Sequence, residues 1–199
     1  MLIYLHGFRS SPQSFKAQLL QRYFDEHGLG AEFACPQLPV SPSEAIAQLS
    51  AQFSLRESDT LVGSSLGGYY ATWLVEHYGC RAVLINPAVF PARDLRPYVG
   101  PLRTYPDDQP MELLAEHIDE LEQLFVPVIA HPKRYFLIAA QGDELLDWRE
   151  MTARYAGART IVRPGSDHGL SEFAEHVLDT VSFAGYPPAG ARSGDGADV

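Results

Sequence analysis

The sequence predicts an α/β fold: a mostly parallel sheet of about six strands with helices on both faces. Strand-length apolar, β-branched or aromatic runs recur along the chain, and helical patterns alternate with them. Several of the runs are too continuous for a strand with one face in water, which is the mark of a buried parallel sheet.

In chain order, a strand over 2–5 leads to a helix over 13–27, one over 32–35 to a helix over 42–55, and one over 60–62 to a helix over 66–78. A strand over 81–85 follows. The last two pairs are a strand over 135–140 with a helix over 145–155, and a strand over 160–162 with a helix over 171–183. Between Asn86 and Lys133 the alternation breaks, and eight of the fifteen prolines fall there. We read residues 87–132 as an insertion. Within it Met111, Leu114, Ala115, Ile118, Leu121 and Phe125 keep helical spacing, with acidic residues on the other face. That helix is either a cap over a site or an ordinary helix packed on the sheet. The expected organisation is one domain over 1–184, followed over 185–199 by a Gly- and Pro-rich tail too poor in apolar bulk to repay its ordering entropy.

With 199 residues, 46% of them hydrophobic and 20% charged, the chain has the balance of an ordinary globular domain. Its formal charge of −10 repels phosphate backbones and anionic lipid, so neither nucleic acid nor a membrane is expected as a partner. Cys35 and Cys80 form no CxxC pair, so we expect two reduced thiols, with neither a disulfide framework nor a zinc site. The N-terminus enters a strand pattern at once, with no basic leader and no run of about 18 apolar residues anywhere. A cytoplasmic protein is expected.

The strongest chemical signal is Gly63-Ser64-Ser65-Leu66-Gly67, a GxSxG pattern between a strand and an amphipathic helix. A nucleophile on such a turn is strained, and the flanking glycines leave room for the neighbouring strand and helix. Ser65 is the central residue. A plain tight turn, or a phosphate cradle at a helix N-terminus, would read similarly, but neither GxGxxG nor GxxxxGK[ST] is present. The loop His6-Gly7-Phe8 closes the first strand, and the Phe8 amide is expected to join the Leu66 amide as an oxyanion donor. His6 itself is read as a structural residue bonding that loop.

Seven histidines compete as the base for Ser65. His168 stands apart because it follows the last strand, on a loop that returns to the sheet edge beside Ser65. His27, His77 and His176 lie in or at the ends of helices among polar neighbours, which predicts solvated surface positions; His117 and His131, in the insertion, could reach substrate. For the orienting carboxylate Asp143 comes at the strand end, and Asp147, already within the next helix, is the alternative. The order Ser65, Asp143, His168 is that of the α/β-hydrolases. Tyr69, Tyr70 and Trp73 are either core or an acyl pocket, and Phe90, Tyr98, Tyr105 and Phe125 in the insertion are the better candidates for an acyl surface.

With these residues placed, the chain resembles the YqiA-like small esterases. Leu5-His6-Gly7-Phe8, Ser10-Ser11-Pro12 and Pro36-Gln37-Leu38-Pro39 carry the resemblance, with the block from Val62 to Trp73, Asn86-Pro87-Ala88-Val89, Gln141-Gly142-Asp143-Glu144 and Asp167-His168. It runs from residue 1 to about 183 and departs in the insertion, around Arg93, Arg96 and Arg103. The resemblance implies a serine esterase cleaving short acyl esters through a Ser65, His168, Asp143 triad and an acyl-enzyme, with neither metal nor organic cofactor. A thioesterase or acyltransferase with the same triad, and a binding protein on a hydrolase fold, are the alternatives.

Overall fold

The computed structural model describes residues 1–105 and 107–188. Six parallel strands form the central sheet: β1 (Leu2–Leu5), β2 (Phe33–Ala34), β3 (Thr60–Ser64), β4 (Arg81–Ile85), β7 (Tyr135–Ala140) and β8 (Arg159–Arg163), in the order β2-β1-β3-β4-β7-β8. The helices are α1 (Phe15–Glu26), α2 (Pro42–Gln52), α3 (Leu66–Tyr78), α4 (Pro91–Leu95), α5 (Ala115–Gln123), α6 (Trp148–Arg154) and α7 (Val177–Phe183). A hairpin of β5 (Gly100–Arg103) and β6 (Pro110–Leu113) stands apart from the sheet.

Alternation along each strand splits the core in two. Ile3, Leu5, Leu61, Leu84 and Leu137 face one side, under α2, α3 and α5, while Leu2, Tyr4, Val62, Val83 and Phe136 face the other, under α1 and α7. Both faces of the inner strands β1, β3, β4 and β7 are therefore covered, which is why their apolar runs are near-continuous. The sheet order reverses at β1: the chain runs outward to β2 and then crosses to β3 on the other side. A crevice opens outside the carboxyl ends of strands at such a switch point. The loops after β1 and β3 flank it.

The insertion departs from expectation. Met111 lies in β6, and the helix begins only at Ala115. It is a core element: Ile118 and Leu121 are 1% exposed, the Tyr69 hydroxyl donates to the Leu121 carbonyl at 2.6 Å, and α5 lies along α2. The helix expected over 145–155 shortens to α6 because Asp147 caps it, its side chain accepting from the Arg149 amide. The helix expected over 171–183 opens with a 3₁₀ segment, Phe173–His176. With three residues per turn, core-facing Phe173 brings His176 to the same side. His176 is thus buried, contrary to a surface position, with neither ring nitrogen hydrogen-bonded among the described residues, whereas His27 and His77 are exposed.

The body also extends past residue 184. Tyr186 donates its amide to Val181 O at 2.8 Å and its hydroxyl to Glu32 at 3.0 Å, and its ring meets the Phe24 edge. The rest of the expected tail, 189–199, lies outside the described residues. Cys35 and Cys80 are free, and no described helix is long and apolar enough to cross a membrane.

Candidate active site

Ser65 stands at the junction of β3 and α3 with φ 53 and ψ −119, a conformation that L residues adopt only under constraint. The constraint is visible. The Ser65 amide donates to Ile85 O at 3.0 Å, and its carbonyl accepts from Gly68 and Ala88. A Cβ on Gly67 would overlap the Leu5 carbonyl, and one on Gly63 would overlap the Gly67 carbonyl, so both glycines are required for the helix to start this close to the sheet. Gly7 is packed against Ser65 as well, since a Cβ there would lie 3.2 Å from the serine Cβ.

The loop after β1 reaches the same point. His6 holds it from below: its Nε2 accepts from the Leu38 amide at 3.1 Å and its other ring nitrogen faces Gly7 O at 3.0 Å. Burial keeps this imidazole below the usual histidine range, which suits an acceptor role and not a proton carrier. The turn Gly7 to Ser10 is closed by Ser10 N–H to Gly7 O, with Arg9 at φ 62. Among the described residues the Phe8 amide has no acceptor, and Leu66, first residue of α3, has an amide that the helix cannot pair.

Asp143 follows β7, and its side chain is fully buried beside His168. Oδ1 accepts from the Leu145 and Leu146 amides at 2.9 and 2.8 Å, and Oδ2 lies 2.9 Å from His168 Nδ1. A carboxylate can only accept, so Nδ1 carries the proton and Nε2 is left with its lone pair. Asp147 takes no part in this; it caps α6. Ser65 and His168 both line a cavity of 480 Å³, without a hydrogen bond between them. Its remaining wall is mainly apolar: Phe8, Leu66, Pro91, Leu95, Tyr98 and Leu146.

Of the insertion's aromatics, Tyr98 and Tyr105 line this cavity, while Phe90 and Phe125 stack on each other away from it. Tyr69 and Tyr70 are core residues and Trp73 stacks on His77, so none of the three lines it. His117 is buried, accepting from the Leu114 amide, and His131 is exposed; neither reaches the cavity.

Three residues that fix the His168 loop have no role assigned from the sequence. Asn86, fully buried and with φ 41, donates to the carbonyls of Asp167 and His168 at 3.0 and 2.9 Å and accepts from the Ala140 amide at 2.8 Å. Glu144 accepts from the His168 amide, and Lys16 on α1 donates to the Gly169 carbonyl. Asn86 and Glu144 fall in blocks that carry the family resemblance, and an asparagine at a strand end before Pro87 suits the left-handed region; Lys16 has no such signal.

The model of a family described as uncharacterised protein family UPF0227 matches residues 1–185. Among solved structures, a candidate hydrolase from Agrobacterium vitis S4 superposes with a TM-score of 0.67 at 17% identity, covering 92% of this chain and 87% of its own. Mouse alpha/beta hydrolase domain-containing protein 10 gives 0.65 at 16%, covering 91% and 86%. Est1E from Butyrivibrio proteoclasticus, solved with ferulic acid, gives 0.62 at 13%, covering 93% and 86%. At these identities the likeness is one of fold, and that fold is the α/β-hydrolase.

Proposed function

The chain belongs to UPF0227, the YqiA-like family, and from that premise and the geometry around Ser65 we propose that it is a serine hydrolase cleaving short acyl esters of small molecules. The observation that carries the reading is a strained serine sharing one cavity with an imidazole whose Nδ1 is held by a buried carboxylate.

In the reaction His168 Nε2 takes the Ser65 proton as Oγ attacks the ester carbonyl, and Asp143 holds the imidazole tautomer and stabilises the imidazolium. The oxyanion rests on the Phe8 and Leu66 amides, helped by the positive end of the α3 dipole. Collapse expels the alcohol, protonated by His168, and leaves an acyl-enzyme. Water, activated by the same imidazole, then releases the acid. No step calls on a metal or an organic cofactor.

The test is labelling by a fluorophosphonate probe with peptide mapping, alongside ester and thioester hydrolysis. The adduct is expected on Ser65 and is expected to vanish in Ser65→Ala and His168→Ala, with kcat lower by about 10⁴-fold or more, as for other triads. Folded wild-type protein that neither takes the label nor cleaves an ester would make this a binding protein on a hydrolase fold. Faster thioester than ester turnover at the same serine would move the substrate class to thioesters.

A further inference from the structure

Among the described residues that line the cavity, Arg9 is the only lysine or arginine, and it lies next to the proposed oxyanion donor Phe8. Its stem is fixed. Nε donates to the Arg103 carbonyl at 2.6 Å, the guanidinium lies 4.4 Å over the Tyr105 ring, and the Tyr105 amide returns a bond to the Arg9 carbonyl at 2.6 Å. The two Nη groups have no acceptor, and no carboxylate lies within 4.0 Å of Arg9, among the described residues. The insertion's arginines differ: Arg93, Arg96 and Arg103 each hold a carboxylate at 2.6 to 2.7 Å.

A guanidinium stacked and bonded through Nε has lost most of its rotamer freedom before any ligand arrives, and it still presents a fork of donors. That fork matches the oxygens of a carboxylate or a phosphate, and an apolar, partly desolvated wall strengthens the attraction. In a chain of net charge −10, a cavity cation with no carboxylate within 4.0 Å among the described residues is a specific feature and not the general surface charge. The carboxylate in the same wall, Asp94, accepts at Oδ1 from Arg93 Nε at 2.7 Å, and Arg93 also donates to Glu150.

We propose that Arg9 makes the site selective for ester substrates that carry a second, anionic group, a carboxylate or a phosphate, beside the scissile bond. The proposal rests on the hydrolase reading and names the substrate class for it.

The experiment compares kcat/KM for matched esters: neutral para-nitrophenyl butyrate and phenyl butyrate, the para-nitrophenyl half-ester of glutarate, and para-butyryloxy derivatives of benzoate and of phenyl phosphate. The half-ester places the anion on the acyl side, and the other two place it on the leaving group. At least one anionic ester is expected to exceed its neutral counterpart by about tenfold or more, the scale of one charge-assisted hydrogen bond. That ratio should shrink at high salt in the wild type, fall toward one in Arg9→Gln and be partly kept in Arg9→Lys. A role confined to bracing the loop would lower all esters together and leave the ratio in place. Neutral esters cleaved with no anionic preference, or a preference untouched by Arg9→Gln, overturn the proposal and leave the hydrolase reading standing. Preference for a cationic ester of aminobutyrate also overturns it, and assigns selectivity to the Asp94 carboxylate in the same wall. If no ester is cleaved and Ser65 takes no fluorophosphonate, the hydrolase reading falls and this proposal with it.

Discussion

At the scale of single residues, the site depends on groups that touch no substrate. Asn86, itself fully buried, makes three hydrogen bonds that join β7 to the His168 loop, and removing its amide leaves the buried Ala140 amide and two partly buried carbonyls without that partner. Asn86→Ala is expected to cost about 3 kcal/mol or more in urea unfolding, at roughly 1–3 kcal/mol per stranded group, and to lower kcat in the fraction still folded. An unchanged kcat would mean that the loop is held without it. Lys16 gives a pH signature. Burial lowers its ammonium to about 8, with the Asp167 charge partly opposing. The folded pKa lies below the unfolded one, so between the two the unfolded chain binds more protons and stability from this group rises with pH. Below pH about 8 both states carry the charge and its burial penalty is fully in force. Wild type minus Lys16→Met should therefore gain stability from pH about 8 upward, by at most about 3 kcal/mol. Cys35 and Cys80, raised by burial to about 12, act in the opposite sense above their ordinary range but cancel in that difference. A flat difference across the range would show that Lys16 titrates normally. Neither Asn86 nor Lys16 was legible in the sequence as a site residue, because each acts on a carbonyl more than 80 positions away and no local pattern encodes that.

At the scale of elements, the sequence was readable where a segment is long and its neighbours follow one period, and opaque where they do not. The strands over 2–5, 81–85 and 135–140 and the helix over 66–78 fall where the apolar runs placed them. Met111 failed because it satisfies the helical spacing of Leu114, Ala115 and Ile118, while the short β6 is held extended by antiparallel pairing to β5 and by the burial of Leu113. A single strand of that length carries no decisive periodicity of its own. The same helix shows how a cap can be told from a core element. Leu121 on α5 is 1% exposed and sits in the cluster beneath α2 and α3. Leu121→Ala should cost about 2–5 kcal/mol, lowering Tm by several degrees, through lost burial and the cavity left behind. Ester kcat/KM of the folded protein should stay within about twofold, because the stretch of insertion bearing Tyr98 and Tyr105 is what borders the cavity. A large loss of kcat/KM without loss of Tm would restore the helix to the role of a cap.

For the whole molecule, one sheet carries two cores, and the candidate site rests on the edge that both support. Leu20 on α1 belongs to one face and Leu74 on α3 to the other; both are fully buried, and they fall in separate clusters. The strands between them are common to the two cores, since Leu2 and Tyr4 point one way while Ile3 and Leu5 point the other along the same four residues. Losing either face would leave β1 uncovered, so neither core can persist alone. Leu20→Ala and Leu74→Ala should each cost about 2–5 kcal/mol. As they lie in separate clusters on opposite faces of the sheet, the double variant should equal their sum within about 0.5 kcal/mol. Each variant should unfold in one calorimetric transition, with reactivity of Ser65 toward a fluorophosphonate lost in that same transition. Two resolved transitions, or label reactivity surviving the first, would show that the faces fold separately and that only one of them holds the β1 and β3 loops together at the switch point.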